Sequence, residues 1–403
     1  MYATVPAIRG FGGPSVARRR AAMVGAGHTK FGVLPEGPRA LVRTAVEEAF
    51  QSVDRGFERT AVDEAFVGTL GFSGWQLGNI SAVVAEEAGL VGAPVTRVEN
   101  ACASAGFALR DGVRAIESGA ADVVLVVGVE KMNDTTSSRR RYWLGVSGET
   151  EWERSAGLTF AGVYGLMASR HIAEFGTPRE ALAEVAVKNH AHAERNPNAQ
   201  FRKAITREQV LAAPRVADPL GLLDCCPVTD GAAAIVLAGE EIAPRFTDRP
   251  VFVAGTGAGS DYLALQERPS LTSLAATRWA AASAFRRAGF DRGSISFLEV
   301  HDCFTIAELL ALEDLGFAEP GKAAELTLSG ATRVGGTLPV NPDGGLKAKG
   351  HPIGATGASQ AYEVFLQLRH TAGARQVEGA ERALTHNVGG SGASATVTLF
   401  SAA

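Results

Sequence analysis

Short apolar runs alternate with longer stretches of helical spacing along the first third of the chain. The most continuous apolar run, ADVVLVVGVE at 121–130, is typical of a strand that is buried on both faces. Other strands are predicted at 21–32, 62–70 and 95–100, and helices at 41–53, 79–90 and 100–119. Because strands and helices alternate, the pattern predicts βαβ units, a mostly parallel sheet and an α/β fold.

The same alternation returns in the second half of the chain. Strands are predicted at 229–239, 251–260 and 295–301, with two more within 383–400, and helices at 273–289, 304–316 and 357–370. In each half a short loop with a reactive side chain opens a long helix rich in alanine and glycine. Cys102 lies in the first of these loops and His351 in the second, which suggests a duplicated unit.

Residues 132–224 interrupt this alternation of strands and helices. Clusters of charged and aromatic residues come first, and helical spacing then predicts helices at 161–175 and 179–195. We therefore expect residues 132–224 to form an inserted lobe on the first sheet.

Composition narrows the functional classes. A chain of 403 residues suggests two or three packed lobes, and its formal charge of −4 gives no electrostatic argument for a nucleic-acid or membrane partner. No apolar run approaches the roughly 18 residues of a membrane span. Four cysteines are too few for a disulfide framework, which favours a reducing, cytoplasmic location.

Residues 1–20 hold four arginines and no acid but lack an amphipathic pattern, so we expect an unstructured N-terminal extension rather than a transit peptide.

Two cysteines and two histidines stand where predicted strands end or predicted helices begin. Cys102 precedes a helix, whose N-terminal N–H groups would favour a thiolate nucleophile, and an inert core cysteine is the alternative. His351 lies between a glycine and a proline at the matching point of the second half. His301 and Cys303 follow the strand ISFLEV. Because ligands bind beyond the carboxyl ends of parallel strands, we expect one cleft to gather all four side chains.

Six motifs, in order along the chain, resemble those of thiolases. They cover about residues 21–400 and are NACASAG, VGVEKM, CCPVTDGAAAIVL, EVHDCF, LPVNPDGGLKAKGHPIGATG and THNVGGSGA. Ordinary thiolases carry Asn-Glu-Ala-Phe where this chain has HDCF at 301–304, and Cys-x-Gly where it has NVG at 387–389. The HDCF form is similar to that of sterol-carrier-protein-type thiolases and their bacterial and archaeal relatives.

This resemblance implies the thiolase fold. Two duplicated βαβαβαββ halves would form a five-layer α-β-α-β-α arrangement with an inserted loop lobe. On that basis, after an extension at 1–20, the N-terminal half comprises 21–131 and 225–245, the lobe 132–224, and the C-terminal half 246–403.

The resemblance also implies a mechanism. His351 withdraws the proton of Cys102, whose thiolate takes the acyl group of an acyl-CoA, while backbone N–H groups of Cys102 and Gly389 hold the oxyanion. Cys303 then takes an α-proton from a second acyl-CoA, whose enolate oxygen is held by His301 and His351. Coenzyme A is the carrier of substrate and product, and no metal or redox cofactor is expected. Two further residues are assigned supporting roles, His386 and Asn387.

Partners and alternative functions follow from the same resemblance. A homodimer or a dimer of dimers is implied. Some thiolase-like relatives work with an OB-fold/zinc-ribbon accessory subunit in acyl transfer or retro-aldol side-chain cleavage, which is the alternative function. Such aldolases tend to lose the nucleophilic cysteine, so Cys102 argues against that branch. A non-catalytic scaffold is the third hypothesis.

Overall fold

A nine-stranded sheet organises residues 19–403, the part of the chain that the computed structural model describes. The strands are β1 (Ala21–His28), β2 (Glu64–Gly68), β3 (Val95–Val98), β4 (Val123–Glu130), β5 (Arg215–Ala217), β6 (Leu220–Gly221), β7 (Gly231–Gly239), β8 (Val251–Ser260), β9 (Phe297–Glu299), β10 (Arg382–Gly389) and β11 (Ser394–Ser401). Their order in the sheet is β3-β2-β4-β7-β1-β8-β11-β10-β9, and β5 and β6 form a separate pair. The extension predicted at 1–20 falls outside the described residues apart from its last two positions.

The sheet is mixed, so the prediction of a mostly parallel sheet is wrong. β2 is parallel to β3 and β4, and β9 is parallel to β10, whereas the other neighbours in the sheet pair in the antiparallel sense. β4 and β7 are buried along their whole length, as their apolar runs predict. Such runs show that both faces of a strand are covered, which is true of either strand direction.

The helices predicted from apolar spacing are all present, and their bounds shift by only a few residues. They are α1 (Pro38–Gln51), α2 (Ile80–Ala88), α3 (Ser104–Ser118), α4 (Ser137–Gly145), α5 (Phe160–Phe175), α6 (Arg179–Ala193), α7 (Arg207–Leu211), α8 (Ala275–Ala288), α9 (Thr305–Asp314), α10 (Ala323–Leu328) and α11 (Thr356–Leu368). A π-helical turn at Gly345–Lys349 precedes α11. Within the described part of the chain, no helix has the length and apolarity that crossing a bilayer requires.

Three apolar clusters give the molecule its layers. α1 and α2 cover the outer face of the N-terminal strands through side chains such as Val42 and Val84. α3 and α11 form the middle layer, where Leu109 and Phe365 pack among strands of both halves. α8 and α9 cover the C-terminal strands on their other face, for example through Leu309. The predicted thiolase fold, with its α-β-α-β-α layers, is confirmed.

The two halves meet directly in the sheet. β1 pairs with β8 through Ala22 with Phe252 and Met23 with Val251. The residue boundaries proposed for the two halves and the lobe remain predictions.

Two glycines bring the middle helices into close approach. A Cβ on Gly357 of α11 would lie 2.3 Å from the backbone nitrogen of Gly106 in α3, closer than any side chain can fit. Each glycine lies in the first turn of its helix. The loops that lead into the two helices, with Cys102 and His351, are therefore held side by side.

The inserted lobe packs on the C-terminal half. α5 and α6 share an apolar cluster with α9, in which Met167 and Leu182 join Leu309 and Leu312. The expectation that this lobe lies on the first sheet is wrong for these helices. The outer face of that sheet is already covered by α1 and α2, so the apolar faces of α5 and α6 are buried elsewhere.

Candidate active site

The loop between β3 and α3 presents Cys102 in a constrained backbone. Ala101, just before it, has φ +49°, a left-handed conformation that costs a non-glycine residue about 1–2 kcal/mol. The loop is fixed by local hydrogen bonds. The Ala101 N–H donates to the Glu99 carboxylate at 2.6 Å, and the Ser104 hydroxyl donates to the Ala101 carbonyl at 2.6 Å. The Asn100 N–H in turn donates to the Ser104 hydroxyl at 3.0 Å.

Three of the four predicted side chains converge. The Cys102 sulfur and one nitrogen each of His301 and His351 lie within 4.8 Å of one another. The two imidazole rings meet edge to face, with centroids 5.0 Å apart and planes at 87°. Both histidines are buried, whereas Cys102 keeps partial exposure. The structure thus forms a cleft where a thiol and two imidazoles can act on one substrate.

Hydrogen bonds leave a basic nitrogen on His351. Its Nδ1 lies 2.7 Å from the Thr356 hydroxyl, which donates its own proton to the Pro352 carbonyl at 3.1 Å. Because that hydroxyl proton is engaged, the hydroxyl accepts from Nδ1–H, and Nε2 of His351 keeps a free lone pair. Burial, followed by the charge of Lys349, lowers the pKa of His351 to about 3, so the ring is neutral. His351 therefore presents a neutral ring whose Nε2 can accept a proton or a hydrogen bond.

His301 has the opposite tautomer. The Asn387 amide donates to Nδ1 of His301 at 3.2 Å, and its Oδ1 accepts the Gly106 N–H at 3.2 Å, which fixes the orientation of the amide. Nε2 of His301 must therefore carry the proton. This buried Nε2 finds no partner among the described residues, so it is free to donate to a substrate oxygen.

Burial determines the protonation state of the Cys102 thiol. It raises the pKa of the Cys102 thiol to about 12, while the backbone N–H groups of Gly390 and Cys102, which contact the sulfur, oppose that rise. The start of α3 favours a thiolate, as the sequence suggests, but desolvation has the larger effect. The thiol is therefore neutral at rest, and a base nearby is needed to form the thiolate.

The role assigned to the backbone N–H of Gly389, holding the oxyanion, stays a prediction.

Cys303 lies beside this cluster, in the loop that leads into α9. Its thiol is buried and contacts the phenol of Tyr164. Burial, followed by the charges of Cys226 and Cys102, raises the pKa of Cys303 well above the usual value of a thiol. The predicted fourth member of the site is thus near Cys102, within a largely apolar enclosure.

Asp302 ties the HDCF loop to the turn before His351. Its carboxylate accepts the N–H groups of Leu346 at 2.7 Å and Lys347 at 3.2 Å, and the side-chain amide of Asn189 at 2.6 Å. Burial, followed by the charge of Glu308, raises the pKa of Asp302 to about 7. Asp302 was not identified from the sequence as a structural residue of the site. Its position within the HDCF motif, directly after His301, could have indicated that role.

The remaining predicted residue, His386, is buried on the adjoining strand. Its Nε2 lies 2.9 Å from the Thr277 hydroxyl. Its supporting role stays a prediction. Sequence reasoning also missed Thr356, which sits five positions after His351 inside the GHPIGATG motif, and Tyr164, which belongs to the inserted lobe.

A cavity of about 370 Å³ opens beside the loop that carries Cys102. It is lined by Leu70, Leu77, Arg97, Glu99, Ala101, Trp143, Val146, Ser147, Leu263, Gly389, Gly390, Ala393 and Ser394. The lining combines the β10–β11 turn with apolar side chains from both the N-terminal half and the lobe. Because Ala101 is part of this lining, the cavity gives a small ligand access to the loop that carries Cys102.

Family models match nearly all of the described chain. The model of the thiolase N-terminal domain matches residues 21–241, and the model described as thiolase C-terminal domain-like matches residues 257–402.

Curated relatives agree with this assignment. The acetyl-CoA acetyltransferase of Methanothermobacter thermautotrophicus is 46% identical over 385 residues, which cover 95% of this chain and 100% of that protein. Sterol carrier protein 2 of Gallus gallus is 35% identical over 405 residues, which cover 96% of this chain and 73% of that protein. The predicted resemblance to sterol-carrier-protein-type thiolases is confirmed.

Solved structures share the fold. A structure described as Ltp2-ChsH2(DUF35) aldolase aligns with a TM-score of 0.83 at 25% identity, covering 95% of this chain and 98% of that one. Human mitochondrial 3-ketoacyl-CoA thiolase in complex with CoA aligns with a TM-score of 0.74 at 19% identity, covering 96% and 98%. On the evidence of both domain models and these relatives, the chain belongs to the thiolase family.

Proposed function

We propose that this protein makes or cleaves 3-ketoacyl-CoA by Claisen chemistry through an acyl group carried on Cys102. It is an acyltransferase, like the relatives that are named acetyl-CoA acetyltransferase. The observation that carries the proposal is the convergence of the Cys102 sulfur with one nitrogen each of His351 and His301. The opposite tautomers of the two rings supply one base and one hydrogen-bond donor.

The first half-reaction forms the acyl-enzyme. Nε2 of His351 takes the thiol proton of Cys102, and the thiolate attacks the thioester carbonyl of an acyl-CoA. The carbon–sulfur bond to coenzyme A breaks, and the leaving thiolate takes the proton of Cys303. This leaves a Cys303 thiolate and a His351 imidazolium. We assign the oxyanion to backbone N–H groups at Cys102 and at Gly389 or its neighbour Gly390, which already contacts the sulfur.

The second half-reaction forms the carbon–carbon bond. The Cys303 thiolate takes an α-proton from a second acyl-CoA, and Nε2–H of His301 donates to the resulting enolate oxygen, assisted by His351. The enolate carbon attacks the acyl carbon on Cys102. The carbon–sulfur bond to Cys102 breaks, and that sulfur regains the proton held by His351. Thiolysis is the same sequence in reverse.

Acetyl-CoA is the substrate we favour, with coenzyme A as the carrier. Support comes from the names of the relatives and from the small cavity beside the Cys102 loop. Every proton in the scheme is moved by a side chain, so we propose that no metal or redox cofactor takes part. Dialysis against a chelator should leave turnover unchanged, and loss that is restored by one metal ion would contradict this point.

We also propose a homodimer, or a dimer of dimers, in the cytoplasm. β3 is an edge strand of the sheet in the N-terminal half, where a second copy could pair. The four cysteines form no disulfide, which suits a reducing compartment. Sedimentation of the purified protein tests the assembly, and a stable active monomer would refute it.

A second candidate is a thiolase-like subunit that needs an OB-fold/zinc-ribbon accessory protein. The likeness to the Ltp2-ChsH2(DUF35) aldolase structure favours it. The reactive arrangement around Cys102 favours the first candidate instead, because retro-aldol cleavage requires no acyl-enzyme. Activity that appears only when an accessory subunit is added would support the second.

The test of the proposed function is direct detection of the acyl-enzyme. Incubation with acetyl-CoA should add one acetyl group to Cys102, which peptide mass spectrometry locates. The Cys102→Ala protein should remain unmodified. An unmodified Cys102 across a series of acyl-CoAs, with no release of coenzyme A, would contradict the proposal.

A further inference from the structure

A tyrosine of the inserted lobe reaches the catalytic loops. Tyr164 lies near the start of α5 and is only 1% exposed. Its ring stacks on Phe304, with centroids 4.7 Å apart and planes at 24°. Its hydroxyl lies 3.4 Å from the Gly390 carbonyl and contacts the Cys303 thiol. The phenol therefore joins the HDCF loop to the β10–β11 turn, from which the N–H of Gly390 contacts Cys102.

The contact between Tyr164 and Cys303 affects how easily the Cys303 thiol loses its proton. Burial disfavours the thiolate form of Cys303. So do the other titratable groups that act on it, which are Cys226, Cys102 and Asp302. The Tyr164 hydroxyl has the opposite effect, because an O–H group that donates to sulfur stabilises the anion. The phenol itself resists ionisation, since burial raises its pKa well above the ordinary value. It therefore keeps its proton through a proton-transfer cycle and can donate it to the sulfur when the thiolate forms.

We propose that Tyr164 is a positioning residue for the proton shuttle: its phenol holds the Cys303 sulfur in place and donates a hydrogen bond to the thiolate form. The inference rests on the proposed function, because it requires Cys303 to release and regain a proton. The long 3.4 Å contact with Gly390 leaves the single phenolic proton available to the thiolate when that forms. Tyr164 does not exchange protons with the substrate.

Tyr164→Phe tests this assignment, since it removes the hydroxyl and keeps the ring on Phe304. Acetylation of Cys102 should still reach completion. The rate at which the α-protons of acetyl-CoA exchange with deuterated water should fall about 10- to 100-fold, the worth of a hydrogen bond to an ionised group. The pH profile of that exchange should also move to higher pH. Unchanged exchange and an unchanged pH profile in a folded Tyr164→Phe protein would overturn the inference.

Two further variants distinguish a specific role of the Tyr164 hydroxyl from a general effect of altering an enclosed tyrosine. Tyr362→Phe removes another largely enclosed phenol, which contacts Glu48 at 3.3 Å, and it should leave the exchange unaffected. Site-specific 3-fluorotyrosine at position 164 keeps the side chain nearly unchanged but makes the phenol a stronger donor, so the profile should move to lower pH. A profile that stays in place there would overturn the inference even if Tyr164→Phe fails to fold. Wild-type exchange in Cys303→Ala would overturn the assignment of Cys303 as the proton shuttle, and this inference with it, whereas an unmodified Cys102 would overturn the proposed function itself.

Discussion

The side-chain amide of Asn387 donates to Nδ1 of His301 at 3.2 Å. The same nitrogen lies 2.9 Å from the carbonyl oxygen of Cys102, so one amide bridges the loops that carry Cys102 and His301. Ordinary thiolases carry a cysteine where Asn387 stands. In this chain the position sets which nitrogen of His301 holds a proton, and the proposed function assigns the acid/base thiol to Cys303 on another loop.

Asn387→Asp should therefore disable His301. A carboxylate only accepts, so the neutral ring would donate from Nδ1 and lose its Nε2–H toward the enolate. We expect condensation to slow by roughly 100- to 1,000-fold, the usual cost of losing one oxyanion donor, while Cys102 still becomes acetylated. Steady-state rates and mass spectrometry measure the two effects. Asn133→Asp, which alters an amide bonded to Arg140, is the control, and equal rates in the two variants would refute the argument.

His386 should make stability depend on pH in a defined direction. Burial lowers its pKa to about 3 in the folded protein, whereas an unfolded histidine titrates near 6.5. The unfolded state therefore binds more protons below pH 6.5, and the stability that neutral His386 allows is lost as pH falls toward 3. Between pH 7.5 and 5.0, the unfolding free energy of the wild type should fall by about 2 kcal/mol relative to His386→Gln. Denaturant titrations at both pH values check this, and a constant difference would contradict it.

Local sequence was enough to locate the two reactive loops. Cys102 and His351 each lie in the loop just before an amphipathic helix, α3 and α11, and the periodicity of each helix is encoded within about fifteen neighbouring residues. The motifs then implied the layers that the structure shows. The direction of the strands was predicted wrongly. A continuous apolar run shows that a strand is buried, but it does not show which strands pair with it or in which direction they run.

The contacts that tune the site could not be predicted in this way. Tyr164 meets Cys303, and Asn189 meets Asp302, only after the inserted lobe docks on α9. Such contacts join residues far apart in sequence, and an apolar helix face does not specify which surface covers it. Thr356 is different, since its short distance along the chain from His351 made it identifiable as a hydrogen-bond partner.

Asp302→Ala should reduce stability by at least about 3 kcal/mol. The substitution leaves the N–H groups of Leu346 and Lys347 and the amide of Asn189 without their buried acceptor, and each such loss costs about 1–3 kcal/mol. Chemical denaturation measures the change. Asp248→Ala removes a carboxylate that is 79% exposed and paired with Arg55, so it should cost under about 1 kcal/mol. Similar losses in the two proteins would mean that Asp302 does not anchor the loop.

The two cysteines to which the proposed function gives catalytic roles should fail at different steps when each is replaced by alanine. Cys102→Ala has no acyl acceptor and should form no acyl-enzyme. Cys303→Ala should still acetylate Cys102 and release coenzyme A, because His351 can protonate the leaving sulfur, but it should stall before condensation. Its α-proton exchange should drop by about 100- to 10,000-fold, the range for losing a general acid or base. Mass spectrometry and deuterium exchange separate these defects.

Cys225→Ala provides the matched control for both cysteines. Cys225 is half-buried, and its sulfur lies 3.4 Å from the Gly221 carbonyl. Its loss should affect stability more than turnover. Condensation at the wild-type rate in Cys303→Ala would mean that Cys303 is a packing residue. The proton would then have to move through another group at the site, and His386, on the strand that carries Asn387, would be the next residue to test.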